Sequence, residues 1–97
     1  MEEIEIRVMI VEDEEVRKEY RRLIPEYSML RLVAESGNQE EALKILEEVA
    51  VDVLILDLEI KNGSGILLLE KLQRMKIEKP FIMVVTNVIS KDRKSVV

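Results

Sequence analysis

Acidic side chains and one hydroxyl stand where the apolar runs of this 97-residue chain end. Glu12 and Asp13 follow the first run, and Asp57 follows the third, with Glu59 two residues further on. Thr86 closes the last run. Carboxylates brought together repel one another unless a cation lies among them, and Mg²⁺ suits a site with few protein oxygens and several waters. The set therefore suggests phosphoryl chemistry on a carboxylate nucleophile, with the hydroxyl bonding an oxyanion.

The composition excludes several other chemistries. The chain has no histidine and no cysteine, so Ser–His–Asp catalysis, His-ligated zinc and thiolate chemistry are ruled out. Its three glycines form no phosphate-binding loop, which argues against a P-loop nucleotidase. The formal net charge is −5, and residues 1–48 alone hold 14 acidic and 7 basic side chains. This acidic balance argues against direct binding of nucleic acid by the chain.

Length and polarity indicate a single small globular domain. Hydrophobic residues make up 47% of the chain and charged residues 36%, which is a soluble balance. The N-terminus is acidic where a signal peptide would be basic. The longest uncharged stretch, residues 80–90, is well short of the roughly 20 residues of a membrane span. We therefore expect a cytoplasmic protein, or an excised part of one, with no membrane partner.

Apolar patterning distributes these residues over alternating strands and helices. Apolar, β-branched runs predict strands over residues 4–11, 29–34, 51–56 and 80–86. Helical spacing predicts helices over residues 14–24, 38–49 and 66–75, with residues 90–97 starting another. Asn38 followed by Glu41 predicts an N-cap with a capping-box partner. Strands separated by helices imply a parallel sheet with right-handed crossovers. The prediction is a three-layer α/β sandwich that binds its ligand beyond the carboxyl ends of the strands.

Three segments resemble the response-regulator receiver domain of two-component signalling: VMIVEDE at 8–14, VLILDL at 53–58 and IMVVTN at 82–87. The spacing agrees, because Asp57 lies 44 residues after Asp13 and Thr86 lies 29 residues after Asp57. Gly65, which opens the third predicted helix, also suits the pattern. The resemblance covers essentially the whole chain. It implies the flavodoxin-like receiver fold, with a parallel sheet in the order 2-1-3-4.

The resemblance implies a role for each matched carboxylate. Asp57 would be the phosphoacceptor and would form an aspartyl phosphate with a phosphoryl group from a phosphohistidine of a sensor histidine kinase. Asp13 and Asp57 would ligate Mg²⁺ directly. Glu12 would do so directly or through water, and Glu59 would contribute its backbone carbonyl. No further catalytic activity is implied, so the chain is expected to be a signalling domain and not an enzyme.

The same resemblance places a switch at the end of the fourth strand. Thr86, with Asn87 beside it, would bind the phosphoryl group and couple phosphorylation to a loop shift. The sequence departs from the family pattern at Ile60-Lys61, where many receivers have Met-Pro. The pattern also has a lysine at the end of a fifth strand. Lys91 and Lys94 do not stand at that position, so no residue of this chain takes that role.

The receiver topology continues beyond the elements found in this sequence. Residues 1–97 would form a receiver domain that is truncated after the fourth strand and the start of the fourth helix, with the fifth strand and fifth helix missing. Residues 81–85 would then be an uncovered sheet edge, and apolar surface beside the first helix would lie bare. We expect self-association through that edge or that face.

Other interpretations of these residues stay open at this point. The run of acids at residues 12–15 could be a helix start that complements the helix dipole, and Asp57 could be a helix-capping residue. Asp57-Leu58-Glu59 faintly resembles the Asp-x-Asp start of haloacid-dehalogenase-type phosphatases, although a glutamate stands at the second position and the motif lies on the wrong strand. The alternative function is a receiver-like interaction module that dimerises without being phosphorylated.

Overall fold

Strands and helices alternate along the chain, as the apolar pattern predicted. The computed structural model describes residues 4–86 and 95–96, and the side chains of residues 4–85. The elements are β1 Ile6–Val11, α1 Glu14–Leu23, β2 Leu30–Ser36, α2 Gln39–Glu48, β3 Val53–Asp57, α3 Gly65–Arg74, β4 Phe81–Thr86 and the short β5 Ser95–Val96. A single 3₁₀ turn containing Pro25 follows α1. Within the described part of the chain, no helix is long and apolar enough to cross a membrane.

The sheet has the strand order β2-β1-β3-β4-β5, and its first four strands are parallel. This confirms the predicted order 2-1-3-4. Val11 pairs with Leu56, and Asp57 pairs with Val85, so β1, β3 and β4 end at the same edge of the sheet. β2 runs two residues further than predicted because it stays paired with β1 as far as Ser36, opposite Val11.

Helices pack on both faces of the sheet, which confirms the three-layer arrangement. One face packs on α2 and α3 through a buried cluster that includes Met9, Val11, Leu54 and Leu56 from the strands and Ala42, Leu46, Leu68 and Leu72 from the helices. The other face has a smaller cluster of Val8, Ile10 and Ile24, against which Tyr20 of α1 packs. Successive strand residues point to opposite faces. The continuous apolar runs of β1 and β3 follow from this two-sided burial.

Two side chains, Asn38 and Ser36, cap the start of α2. Asn38 Oδ1 accepts a hydrogen bond from the Glu41 backbone N–H at 3.0 Å, which confirms the predicted N-cap. The predicted capping-box partner is wrong. Ser36 Oγ, and not the Glu41 side chain, accepts from the Asn38 backbone N–H at 3.0 Å, and it donates to Glu41 Oε1 at 2.6 Å. Ser36 is buried at the end of β2, which places its hydroxyl between the two groups.

The C-terminal end of the sheet differs from the sequence prediction. Residues 95–96 form a strand that pairs antiparallel with Val85 and Thr86, so the expected helix over residues 90–97 is wrong at Ser95 and Val96. The expectation of an uncovered edge along β4 is wrong at Val85 for the same reason. An edge strand carries backbone groups that need partners, and here a segment of the same chain supplies some of them. The strand is antiparallel and therefore is not the parallel fifth strand of the receiver pattern. Residues 87–94 lie outside the described part of the chain.

Candidate metal and phosphoacceptor site

Three of the predicted carboxylates converge at the carboxyl edge of the sheet. One oxygen from each of Glu12, Asp13 and Asp57 lies within 4.8 Å of the others. The strand pairing brings them together, because β1 ends at Val11 beside Leu56 of β3. Glu12 is fully buried, Asp57 is 2% exposed and Asp13 is half-buried. The sequence therefore predicted this cluster correctly from the order and the ends of the strands.

Hydrogen bonds to backbone groups hold both the main chain and the side chain of Glu12. Its N–H donates to the Ser36 carbonyl at 3.0 Å, which continues the β1–β2 pairing. Its Oε1 accepts a hydrogen bond from the Asp13 backbone N–H at 3.1 Å. A carboxylate that is removed from water costs free energy unless it is compensated. Like charges also repel one another, so two buried carboxylates with an oxygen of a third within 4.8 Å favour a cation among them.

The Asp13 side chain faces the site and not the helix that it precedes. Asp13 is the N-cap residue of α1, yet its side chain makes no capping hydrogen bond. Its Oδ1 instead accepts from the Lys61 backbone N–H at 3.0 Å, across 48 residues of sequence. The next acid, Glu14, forms ion pairs with Arg17 and Arg21. The hydrogen bonds from Arg17 and Arg21 lower the pKa of Glu14 to about 2. Glu14 and Glu15 lie in the first turn of α1, where negative charge complements the helix dipole, whereas the Asp13 carboxylate bonds the loop after β3.

Asp57 ends β3 and does not cap α3. Its Oδ1 accepts a hydrogen bond from the Glu59 backbone N–H at 3.0 Å. The N-cap of α3 is Ser64, whose Oγ accepts from the Leu67 N–H at 3.2 Å. The capping interpretation of Asp57 is therefore wrong. The Glu59 side chain is exposed and its backbone lies next to Asp57; the role of its carbonyl as a metal ligand stays a prediction.

Gly65 lets α3 begin directly against the site. Its N–H donates to the Leu58 carbonyl at 3.1 Å. A Cβ at this position would lie 2.3 Å from the Asp57 backbone oxygen. Any side chain here would push α3 away from the strand end. The sequence indicated this glycine only through the family pattern, since the contact itself involves the backbone of another element.

The β3–α3 loop, residues 58–64, is attached to α2. Ile60 is 6% exposed and joins the main apolar cluster, while Lys61 is exposed. Gln39, the first residue of α2, accepts a hydrogen bond from the Ser64 N–H at 2.9 Å through its Oε1. The Gln39 N–H in turn donates to the Asn62 carbonyl at 3.1 Å. Sequence reasoning missed Gln39, because no spacing or residue type marks a helix-start glutamine as a contact of a distant loop.

The switch residues are described only in part. Thr86 is the last residue of β4, one position beyond Val85, which is paired with Asp57. Its backbone is thus at the same edge as the carboxylates. The Thr86 side chain, all of Asn87, and Lys91 and Lys94 lie outside the described residues. Their predicted roles stay predictions.

The donor set suits a hard divalent cation. All three converging side chains offer carboxylate oxygens, the ligands that Mg²⁺ and Ca²⁺ prefer. Three protein ligands leave the remaining coordination positions of the ion to solvent or substrate oxygens, which is the usual pattern for Mg²⁺. The residues present therefore fit the metal that the sequence suggested.

A parallel α/β sandwich in this strand order, with clustered carboxylates at its carboxyl edge, is the architecture of a signalling receiver. A family model described as the response regulator receiver domain matches residues 8–97. The chain belongs to this family, and it is a receiver domain of the two-component response-regulator type. The receiver interpretation made from the sequence is thereby confirmed.

The chain is similar to curated proteins and solved structures over most of its length. It is 34% identical over 82 residues to the transcriptional regulatory protein YpdB of Escherichia coli K12, covering 84% of this chain and 33% of that protein. It is 35% identical over 80 residues to a protein-glutamate methylesterase/protein-glutamine glutaminase of Treponema pallidum. This match covers 81% of this chain and 20% of that protein. The chain thus spans a third of the first relative and a fifth of the second.

Among solved structures, the response regulatory domain of protein mrkE from Klebsiella pneumoniae superposes with a TM-score of 0.71 at 30% identity. The match covers 84% of this chain and 66% of that one. A likeness of this size over most of the chain agrees with the strand order described above.

Proposed function

We propose that Asp57 accepts a phosphoryl group from the phosphohistidine of a sensor histidine kinase. The observation that carries the proposal is the nearly complete burial of Asp57 beside two further carboxylates at the edge where an α/β sheet binds its ligands. In the transfer, the P–N bond of the donor breaks and its electron pair stays on the imidazole nitrogen, which takes up a proton from solvent. A carboxylate oxygen of Asp57 forms the new O–P bond.

Glu12, Asp13 and Asp57 are the residues that would hold Mg²⁺, together with the backbone carbonyl of Glu59. When bound, the metal offsets the charge of the transferring phosphoryl group. The chain itself positions the nucleophile. The hydrogen bond from the Glu59 N–H to Asp57 Oδ1 orients the Asp57 carboxylate. The hydrogen bond from the Lys61 N–H to Asp13 Oδ1 orients the Asp13 carboxylate. Thr86, with Asn87 next to it, is proposed to bond a phosphoryl oxygen from the end of β4.

Intact-mass measurement after incubation with acetyl phosphate and Mg²⁺ tests this function. We expect the wild-type protein to gain one phosphoryl group and the Asp57→Asn variant to gain none, because an amide is a far weaker nucleophile than a carboxylate. Asp52→Asn is the matched control, since Asp52 pairs with Arg7 and lies just before β3, at the opposite end of that strand. Labelling that persists in Asp57→Asn would show that another residue accepts the group.

The proposal includes the cellular setting and the partners. We propose a cytoplasmic signalling domain whose chemistry is limited to its own phosphorylation and dephosphorylation. A second copy of the chain is a further proposed partner, through the sheet face beside α1. On that face Phe81 is 68% exposed, and Ile55 and Met83 are only partly buried. Exposed apolar surface of this kind favours association.

A further inference from the structure

Gln39 connects the start of α2 to the loop that follows Asp57. Gln39 is 8% exposed. The Oε1 atom accepts from the Ser64 N–H at 2.9 Å, and the backbone N–H donates to the Asn62 carbonyl at 3.1 Å. Asn38 and Asn62 also form an isolated parallel bridge. One residue of α2 thus holds the C-terminal half of the β3–α3 loop through two hydrogen bonds.

The backbone of the loop is shaped to this contact. Gly63 has φ of +130°, a conformation that side chains rarely adopt. A Cβ on Gly63 would lie 2.5 Å from the Gln39 Cβ. The loop therefore presses directly on the Gln39 side chain, without intervening space. Because the Gln39 side chain packs directly against the loop, a substitution at position 39 is expected to change the packing of residues 62–64.

The other half of the same loop is attached to the metal site. Lys61, next to Asn62, donates its N–H to Asp13 Oδ1 at 3.0 Å. Ile60, the residue before it, is anchored in the apolar cluster. Only the Lys61–Asn62 peptide separates the bond to Asp13 from the first bond to Gln39. The Lys61 N–H therefore lies between the Ile60 anchor and the part of the loop that Gln39 holds.

We propose that Gln39 is a positioning residue for the acidic site: by fixing residues 62–64, it keeps the Lys61 N–H on Asp13 and so keeps the Asp13 carboxylate turned toward Asp57. This rests on the proposed function, because Asp13 is taken as a ligand of the phosphorylation metal. Loss of the Gln39 acceptor loosens the loop, frees the Asp13 carboxylate to rotate and weakens the binding of Mg²⁺. α2 thereby acts on a site to which it contributes none of the three carboxylates.

Amide hydrogen exchange in the metal-free protein, followed by NMR, tests the structural half of the proposal. In Gln39→Ala we expect the Ser64 and Lys61 amides to exchange roughly two- to tenfold faster, the factor that corresponds to the net stabilisation from one hydrogen bond. The buried Leu54 amide of β3 is the internal reference for global opening. Gln39→Glu keeps an acceptor oxygen at the same distance along the side chain, and it should restore slow exchange.

A Mg²⁺ titration of the same variants, read from backbone amide shifts, tests the effect on the site. We expect the dissociation constant of Gln39→Ala to rise by a similar two- to tenfold and that of Gln39→Glu to stay near the wild-type value. Gln73→Ala is the matched control, because Gln73 is exposed on α3 and its side chain bonds to no residue that the structure describes. Gln73→Ala should change neither the amide exchange rates nor the Mg²⁺ affinity.

Two results would overturn the proposal. Unchanged exchange at Lys61 in Gln39→Ala would show that the loop holds Asp13 without Gln39. Faster exchange at Ser64 with an unchanged Mg²⁺ affinity would limit Gln39 to a local packing role. Failure of the proposed function gives a different result: the wild-type protein would not be labelled at Asp57, whereas the exchange at Lys61 would still report on Gln39.

Discussion

The first residue of α3 contacts the strand end that carries the candidate phosphoacceptor: a Cβ on Gly65 would lie 2.3 Å from the backbone oxygen of Asp57 and 2.6 Å from the Cα of Leu58. Both neighbours are backbone atoms, which cannot move aside as a flexible side chain can. The geometry of the site and the packing of α3 are therefore linked at this one glycine.

Gly65→Ala is expected to destabilise the fold, by about 2 kcal/mol or more, because overpacking against backbone forces a shift of the helix. In an ordinary helix the same substitution stabilises the fold by up to about 1 kcal/mol. A destabilised Gly65→Ala protein would therefore indicate the close contact with the backbone of Asp57 and Leu58. Urea denaturation measures the free energy of unfolding. Gly37→Ala is the milder comparison, since its Cβ would meet the movable end of the Arg17 side chain at 2.9 Å and the Glu12 backbone oxygen at 3.1 Å, both farther than the 2.3 Å contact at Gly65. A Gly65→Ala protein as stable as the wild type would contradict the close contact.

The clustered carboxylates are expected to destabilise the metal-free fold by mutual repulsion. Asp13→Asn removes one charge and keeps an oxygen for the Lys61 N–H, so it should raise the free energy of unfolding without metal by on the order of 1 kcal/mol. Added Mg²⁺ should stabilise the wild type by about 1.4 kcal/mol at ten times its dissociation constant. The variant should gain much less. Thermal unfolding with and without Mg²⁺ measures both effects, and an equal gain in the two proteins would argue against Asp13 as a ligand.

A surface ion pair between Arg7 and Asp52 predicts a pH dependence of stability. The Arg7 guanidinium bonds both Asp52 carboxylate oxygens at 2.9 Å and lowers the pKa of Asp52 from 3.8 to about 2. Because the folded pKa lies below the unfolded one, the stabilisation is present above about pH 4 and is lost as the pH falls toward 2. Asp52→Asn should therefore differ from the wild type most at about pH 6 and least near pH 2.

Urea unfolding at several pH values measures this difference, and added salt should reduce it because both groups are partly exposed. Glu70→Gln is the control, since the exposed Glu70 side chain lies in the middle of α3 and forms no ion pair with a residue in the described ranges. A destabilisation in Asp52→Asn that is the same at about pH 6 and pH 2.5 would mean that the charge of Asp52 contributes nothing.

Association through the face beside α1 is expected to depend on Phe81. Ile82 packs on the other face of the sheet, so the neighbouring Phe81 points to the face beside α1. Phe81 is 68% exposed. Phe81→Glu should lower the apparent mass of concentrated protein in light scattering. Ile66→Glu changes an exposed residue of α3, on the opposite layer, and should leave the mass unchanged. A wild-type protein that stays monomeric at every concentration would remove this proposed interface.

The amino-acid sequence by itself determined the layers and the identity of the acidic cluster, and its resemblance to receiver domains supplied the strand order. The absence of histidine and cysteine limited the chemistry, and carboxylates at the ends of parallel strands must meet at one edge. For this reason Glu12, Asp13 and Asp57 were correctly placed together before their distances were known. Apolar periodicity reports which face of an element is buried, and this is enough to define the three layers.

Contacts between distant polar groups were decided only by the tertiary structure. Ser36 takes the place of Glu41 at the start of α2, Gln39 holds a loop 25 residues away, and Asp13 turns from its own helix to the Lys61 N–H. Each is a choice among several partners of similar hydrogen-bonding ability, so residue type and spacing do not select one. The packing of the strands and helices brings one partner within reach, and the buried backbone groups then require it.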